Sequence, residues 1–147
     1  MKTTDVAAIT TGGLLALVAA FQAALAGGAP WGDMSYGGRV ETVGGVLPRS
    51  YRAMSAASVV VLSLGAWIVL AHADLVGSGI LGNGFPRAAV WVVFAFLVIN
   101  TATNAASNNP IERFGFGTVS LVSAVACLIV ARTSAVLFES WATAGHR

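Results

Sequence analysis

Four long apolar stretches, separated by short polar or glycine-rich segments, set the pattern of the chain. A helix that crosses a membrane needs about 20 mostly apolar residues. Four stretches meet that length: residues 6–28, "VAAITTGGLLALVAAFQAALAGG"; 51–73, "YRAMSAASVVVLSLGAWIVLAHA"; 87–108; and 110–132. They predict an all-α membrane protein, a single domain of four transmembrane helices in an antiparallel bundle. The tail, 133–147, carries Val136, Leu137 and Trp141, which suit a short helix on the membrane surface or an extension of the fourth helix.

The first stretch also resembles a secretory signal peptide, with "ALA-GG" as its cleavage-like end. Asp5 spoils the positive leading region, and the apolar run exceeds the usual 7–15 or so residues of such a peptide. It is therefore read as a true span.

The connections differ in kind. The one between the first two spans, "APWGDMSYGGRVETVGGVLPRS", is the longest, and its glycines and prolines argue against one continuous helix. A structured loop is expected there, with Trp31 and Tyr36 at headgroup level. Arg49 and Arg52 follow Pro48 at the mouth of the second span, where long basic side chains reach the interface. The second connection, "DLVGSGILGNGFP", reads as a flexible surface loop. The third is tight: Asn109 as N-cap, Pro110 at the first helical position and Glu112 at the third form a capping-box arrangement.

Small residues at every fourth position predict close helix contacts, because lipid gives no hydrophobic drive for association. Ala16, Ala20, Ala24 and Gly28 form such a stripe in the first helix, and Ser123, Cys127 and Ala131 in the fourth.

Composition strengthens the membrane reading. The 147 residues are 56% hydrophobic and 10% charged, whereas soluble domains carry roughly 25% charged residues. No basic run suggests a nucleic-acid partner. The lone Cys127 offers neither a disulfide framework nor a metal-binding spacing. Four spans place both termini at one end, A, with Lys2, Arg87, Arg132 and Arg147. The other end, B, holds Arg39, Arg49, Arg52 and Arg113. The positive-inside comparison is tied and orientation stays open.

The polar side chains converge at end B. Gln22 lies about six residues, or roughly 9 Å, below the end of the first span. Asn100 lies at similar depth in the third, and Asn104 and Asn108 continue its stripe toward the surface. Ser55, Ser58, Arg49 and Arg52 enter that layer from the second span, and Glu112 and Arg113 from the fourth. Asp33, Arg39 and Glu41 lie above it on the loop. Two readings follow. Either these groups bond across helices and only hold the bundle, or Gln22, Arg49, Arg52, Asn100, Asn104, Glu112 and Arg113 line a polar pocket open at end B. At end A, His72 and Asp74 are better read as the interfacial end of a helix than as a proton-handling pair. No HExxH, GxSxG or phosphate-binding loop occurs, and no nucleophile has a positioned base. Nothing calls for a cofactor, and enzyme activity lacks support.

The motifs "FQAALAGGAPWG", "LPRSYR" and "NTATNAASNNPIERF" resemble those of uncharacterised small four-helix integral membrane proteins of bacteria. The resemblance implies a multi-pass protein of a cell membrane, the bacterial inner membrane in particular. It also implies that the first loop and the third connection belong to one recurring design, and it carries no activity. The expected role is a non-enzymatic binding or accessory component of a membrane assembly or homo-oligomer, with membrane lipids and a second membrane chain as partners. The alternatives are a small carrier or channel-like protein for a polar or amphipathic solute, and a lipid-directed enzyme working through carboxylates at the membrane surface.

Overall fold

The structure is a computed structural model that describes the backbone of residues 1–79 and 85–144, and the side chains of 1–79 and 88–133. Within these residues four long helices carry the fold: α1, Thr3–Gly27; α2, Arg49–His72; α3, Phe85–Ala105; and α4, Gly117–Ala144. A single π-turn, Ile111–Phe116, opens α4. All four helices contain a stretch long and apolar enough to cross a membrane, which fits a multi-pass membrane protein.

Local chemistry explains the boundaries. Asp5, in the first turn of α1, accepts a hydrogen bond from the Lys2 N–H at 2.9 Å, and a carboxylate there suits the positive end of the helix dipole. Pro48 holds extended backbone ahead of α2 and accepts that helix's first bond, from the Arg52 N–H. The third span stops short of its expected end. α3 closes at Ala105, so Asn108 leaves the Asn100–Asn104 stripe and lies exposed in the turn. Ser and Asn side chains compete for backbone groups there, and Pro110 disfavours helix just before it.

The helix of the fourth span continues through Ala144. The backbone of the tail thus extends α4, while residues 145–147 and the Val136, Leu137 and Trp141 side chains lie outside the described set. Residues 80–84 of the second connection also lie outside it. Before them, Trp67 Nε1 donates to the Gly77 carbonyl at 3.2 Å, tying the start of that connection back to α2.

α1 packs on α2 and α4, and α3 packs on α4 and α2. The shared core contains Leu15, Leu62, Val69, Val90, Leu97, Cys127 and Val130. Outward, Leu17, Val60, Val92, Ile99 and Leu121 are exposed, as lipid contact would allow. Of the two small-residue stripes, the one in α4 is buried: Ser123, Cys127 and Ala131 are each 2% exposed or less. The stripe in α1 is split: Ala24 and Gly28 are half-buried, Gly28 beside the Arg52 side chain of α2, and the other two members turn outward. Ala16 and Ala20 are exposed, and the contact face is Ala8, Thr11, Gly12, Leu15 and Ala19. At Gly12 the Leu70 side chain approaches so closely that an added Cβ would lie 3.1 Å from it. The close approach of α1 to α2 at this level follows Gly12, not Ala16 or Ala20.

Candidate functional site

The loop between α1 and α2 folds over end B. It forms two short 3₁₀ turns, Gly32–Met34 and Tyr36–Gly38, followed by a tight turn in which Val43 and Val46 pair. The Gly32 N–H donates to the Gly45 carbonyl at 2.8 Å, folding the loop on itself.

Three attachments fix it to the helices. The Tyr36 hydroxyl lies 2.9 Å from Ser55 Oγ, and its ring meets Tyr51 edge-on at 5.0 Å. Asn109 Nδ2 donates to the Asp33 carbonyl at 2.8 Å. The third attachment is Glu112, whose Oε2 accepts from the Gly37 N–H at 2.8 Å and from the Ser107 hydroxyl at 2.6 Å.

That third contact changes the expected capping box. Asn109 does cap: its Oδ1 accepts from the Ile111 N–H at 2.9 Å, and its carbonyl accepts from Arg113. Glu112 does not reach back to the Asn109 N–H, which instead donates to Ser107 Oγ at 3.1 Å. With Ser107 serving the cap, the carboxylate is released to hold the loop.

Beneath this roof is a cavity of about 100 Å³ among the four helices, to which α2 contributes only Leu62. Its polar lining is Gln22, Ser35, Asn100, Asn104, Ser120 and Ser123, set among Phe21, Phe96 and Phe116. Ser35 comes from the loop, is 5% exposed, and donates to the Gly32 carbonyl. Phe21 packs against Phe116 at 4.8 Å and stacks with Trp31 at 6.1 Å, joining wall to roof.

The amides in the cavity do not bond to one another. Asn100 Nδ2 donates to the Phe96 carbonyl of its own helix at 2.8 Å. Asn104 Nδ2 donates across to Ser120 Oγ at 3.3 Å. Gln22 Oε1 is buried and accepts no hydrogen bond from the protein, the one such side-chain atom among the described residues. A buried acceptor without a donor costs about 1–3 kcal/mol, so the site calls for a donor from elsewhere.

The sequence-based candidates therefore fall into three places. Gln22, Asn100 and Asn104 share the cavity. Glu112 is engaged at the corner, and Arg113 lies beside it with its guanidinium over the Phe114 ring at 5.6 Å. Arg49 and Arg52 line a separate groove beside α1, where Arg52 Nε donates to the Ala26 carbonyl at 3.0 Å.

Ser120, Ser123 and Ser35 were not legible as cavity residues. In α4 the three-residue spacing of Ser120 and Ser123, which puts both on one helix face, was a weak signal, and Ser35 depends on the loop path. No charged side chain, histidine or cysteine lines the cavity. No three His, Cys, Asp or Glu side chains gather as metal ligands among the described residues. What the arrangement can do is hydrogen-bond a neutral group. Compared with known proteins, the chain matches no family model, no curated protein and no solved structure.

Proposed function

We propose that the protein is a non-enzymatic binding component of a membrane, which holds a small neutral hydrogen-bond donor in the cavity beneath its first loop. Gln22 Oε1 carries the reading: it is a buried acceptor, on a residue that lines the cavity, that the fold leaves without a donor. A water molecule occupies about 30 Å³ of liquid, so the cavity suits a few waters or one solute of a few heavy atoms. Uncharged walls favour neutral species over ions.

In this reading the four helices form an antiparallel bundle in a cell membrane, with lipid around Leu17, Val60, Val92 and Ile99. Association with a second copy or another membrane chain completes the assembly. The resemblance to small four-helix proteins of the bacterial inner membrane fits the same picture. A carrier working through one protomer is less well supported. Toward end A the buried interior includes Val69, Val90, Cys127 and Val130, all with 0% exposure, an apolar layer among the described residues.

The test is native mass spectrometry of the full chain in nanodiscs of its host lipids, comparing the protein with its Gln22→Leu variant. The expected result is a small neutral adduct on the parent chain that the variant lacks. Equal adducts on both, or adducts of lipid mass alone, would overturn the reading.

A further inference from the structure

Arg49 and Arg52 belong neither to the cavity nor to the corner. They line a groove of about 360 Å³ with Ala26, Ala53 and Ala56. We infer that this groove binds an anionic phospholipid, with its phosphate on the two guanidinium groups and an acyl chain laid over the alanines. The inference is independent of the cavity and stands if the cavity holds nothing.

The spacing carries the first part of the argument. Residues 49, 52, 53 and 56 follow one another at i, i+3, i+4 and i+7, a single face of α2. Both arginines are in the first turn and both alanines follow below. Further along the same face Val60 and Leu64 are 67% and 50% exposed. The face therefore runs from cationic to small to apolar along the direction from headgroup to acyl chain.

Arg52 is also held in place. Its Nε donates to Ala26 near the end of α1, which fixes the guanidinium plane at the mouth of the groove and leaves its terminal N–H donors for another acceptor. Arg49 is exposed beside it. The first turn of α2 adds the positive end of a 24-residue helix with no side-chain cap. No carboxylate lines the groove. A phosphodiester is the anion that a membrane supplies at this depth, and small side chains beneath it leave room for the attached chain. Arginine forks match phosphate oxygens in pairs.

The experiment uses the purified full chain in nanodiscs of phosphatidylcholine mixed with phosphatidylglycerol, and native mass spectrometry to count which lipid stays bound. The parent chain should retain phosphatidylglycerol in preference. Arg49→Gln should weaken the preference about fivefold and Arg49→Gln/Arg52→Gln more, since each arginine near an anionic surface contributes on that scale. Arg49→Gln alone guards against misfolding, because Arg49 is exposed whereas Arg52 also serves α1. A soluble competitor, inorganic phosphate, should not displace the lipid. An unchanged preference in Arg49→Gln, or displacement by phosphate at matched concentration, would overturn the assignment.

Discussion

The carboxylate of Glu112 accepts a hydrogen bond at 2.8 Å from the backbone N–H of Gly37, 75 positions earlier in the chain. This contact joins the corner between α3 and α4 to the loop between α1 and α2. The same oxygen accepts from Ser107, and the neighbouring Asn109 reaches the loop at Asp33. Roof and corner therefore form one unit over the cavity.

Glu112→Ala removes the acceptor from both donors at once. The expected cost is about 1–3 kcal/mol, the range for a buried or half-buried donor left without a partner. Because the helices keep their own contacts, the loss should concentrate in the loop. Limited proteolysis should cut the variant within residues 29–48 faster than the parent chain. Equal cleavage rates would mean that the corner does not hold the roof.

Tyr36 and Ser55 offer a second, separable attachment. Ser55 is fully buried and its Oγ meets the Tyr36 hydroxyl at 2.9 Å. Tyr36→Phe should lower stability by about 1 kcal/mol, read as a lower melting temperature in detergent. In the double variant with Ser55→Ala the losses should fall short of additive, because both changes remove the Tyr36–Ser55 bond, while Tyr36→Phe alone also removes the donation to the Tyr51 carbonyl at 3.3 Å. Full additivity would show that the hydroxyls act separately.

The four spans were legible because an apolar run of this length has one economical explanation. The loop's course was not, since it depends on where its few backbone donors find acceptors, and Gly37 finds one 75 positions away. The Gln22–Asn100 pairing in depth followed from helix rise alone, and both residues line the cavity. The arginines and Glu112 shared that layer by the same reasoning, yet they point to other places. Depth is a property of position along a helix; direction around the helix depends on packing, which periodicity resolves poorly when nearly every side chain is apolar.

Within the loop, Gly44 and Gly45 should respond differently to alanine. Both have positive φ, 61° and 77°, where a side chain costs roughly 1–2 kcal/mol. At Gly44 an added Cβ meets nothing within 4 Å, whereas at Gly45 it would lie 2.6 Å from the Pro30 carbonyl oxygen. Gly45→Ala should therefore loosen the loop markedly and Gly44→Ala only modestly, as judged by proteolysis of residues 29–48. Equal effects would place the constraint in backbone strain alone.

At the cavity, stability and binding should move in opposite directions. Gln22→Leu replaces an acceptor without a donor by an apolar group of similar bulk. With no ligand present the variant should gain about 1 kcal/mol or more, the desolvation cost that the parent chain carries. A rise in melting temperature together with loss of the small neutral adduct would mark a residue kept for binding. A fall in melting temperature would show that the amide holds the bundle.

The packing of α1 can be tested on its two faces. Gly12 lets Leu70 approach within 3.1 Å of where a Cβ would stand, while Ala16, one turn on, is exposed. Gly12→Leu should force α1 away from α2 and lower stability by about 1–3 kcal/mol, the usual cost of overpacking. Ala16→Leu should be nearly neutral in the isolated chain, since its side chain enters lipid. If Ala16→Leu instead disrupts the chain in membranes while leaving the detergent-solubilised monomer intact, the alanine stripe serves contact with another chain. A chromatographic measurement of size before and after the change distinguishes these outcomes. The two positions thus separate the contact that folds the protein from one that would assemble it.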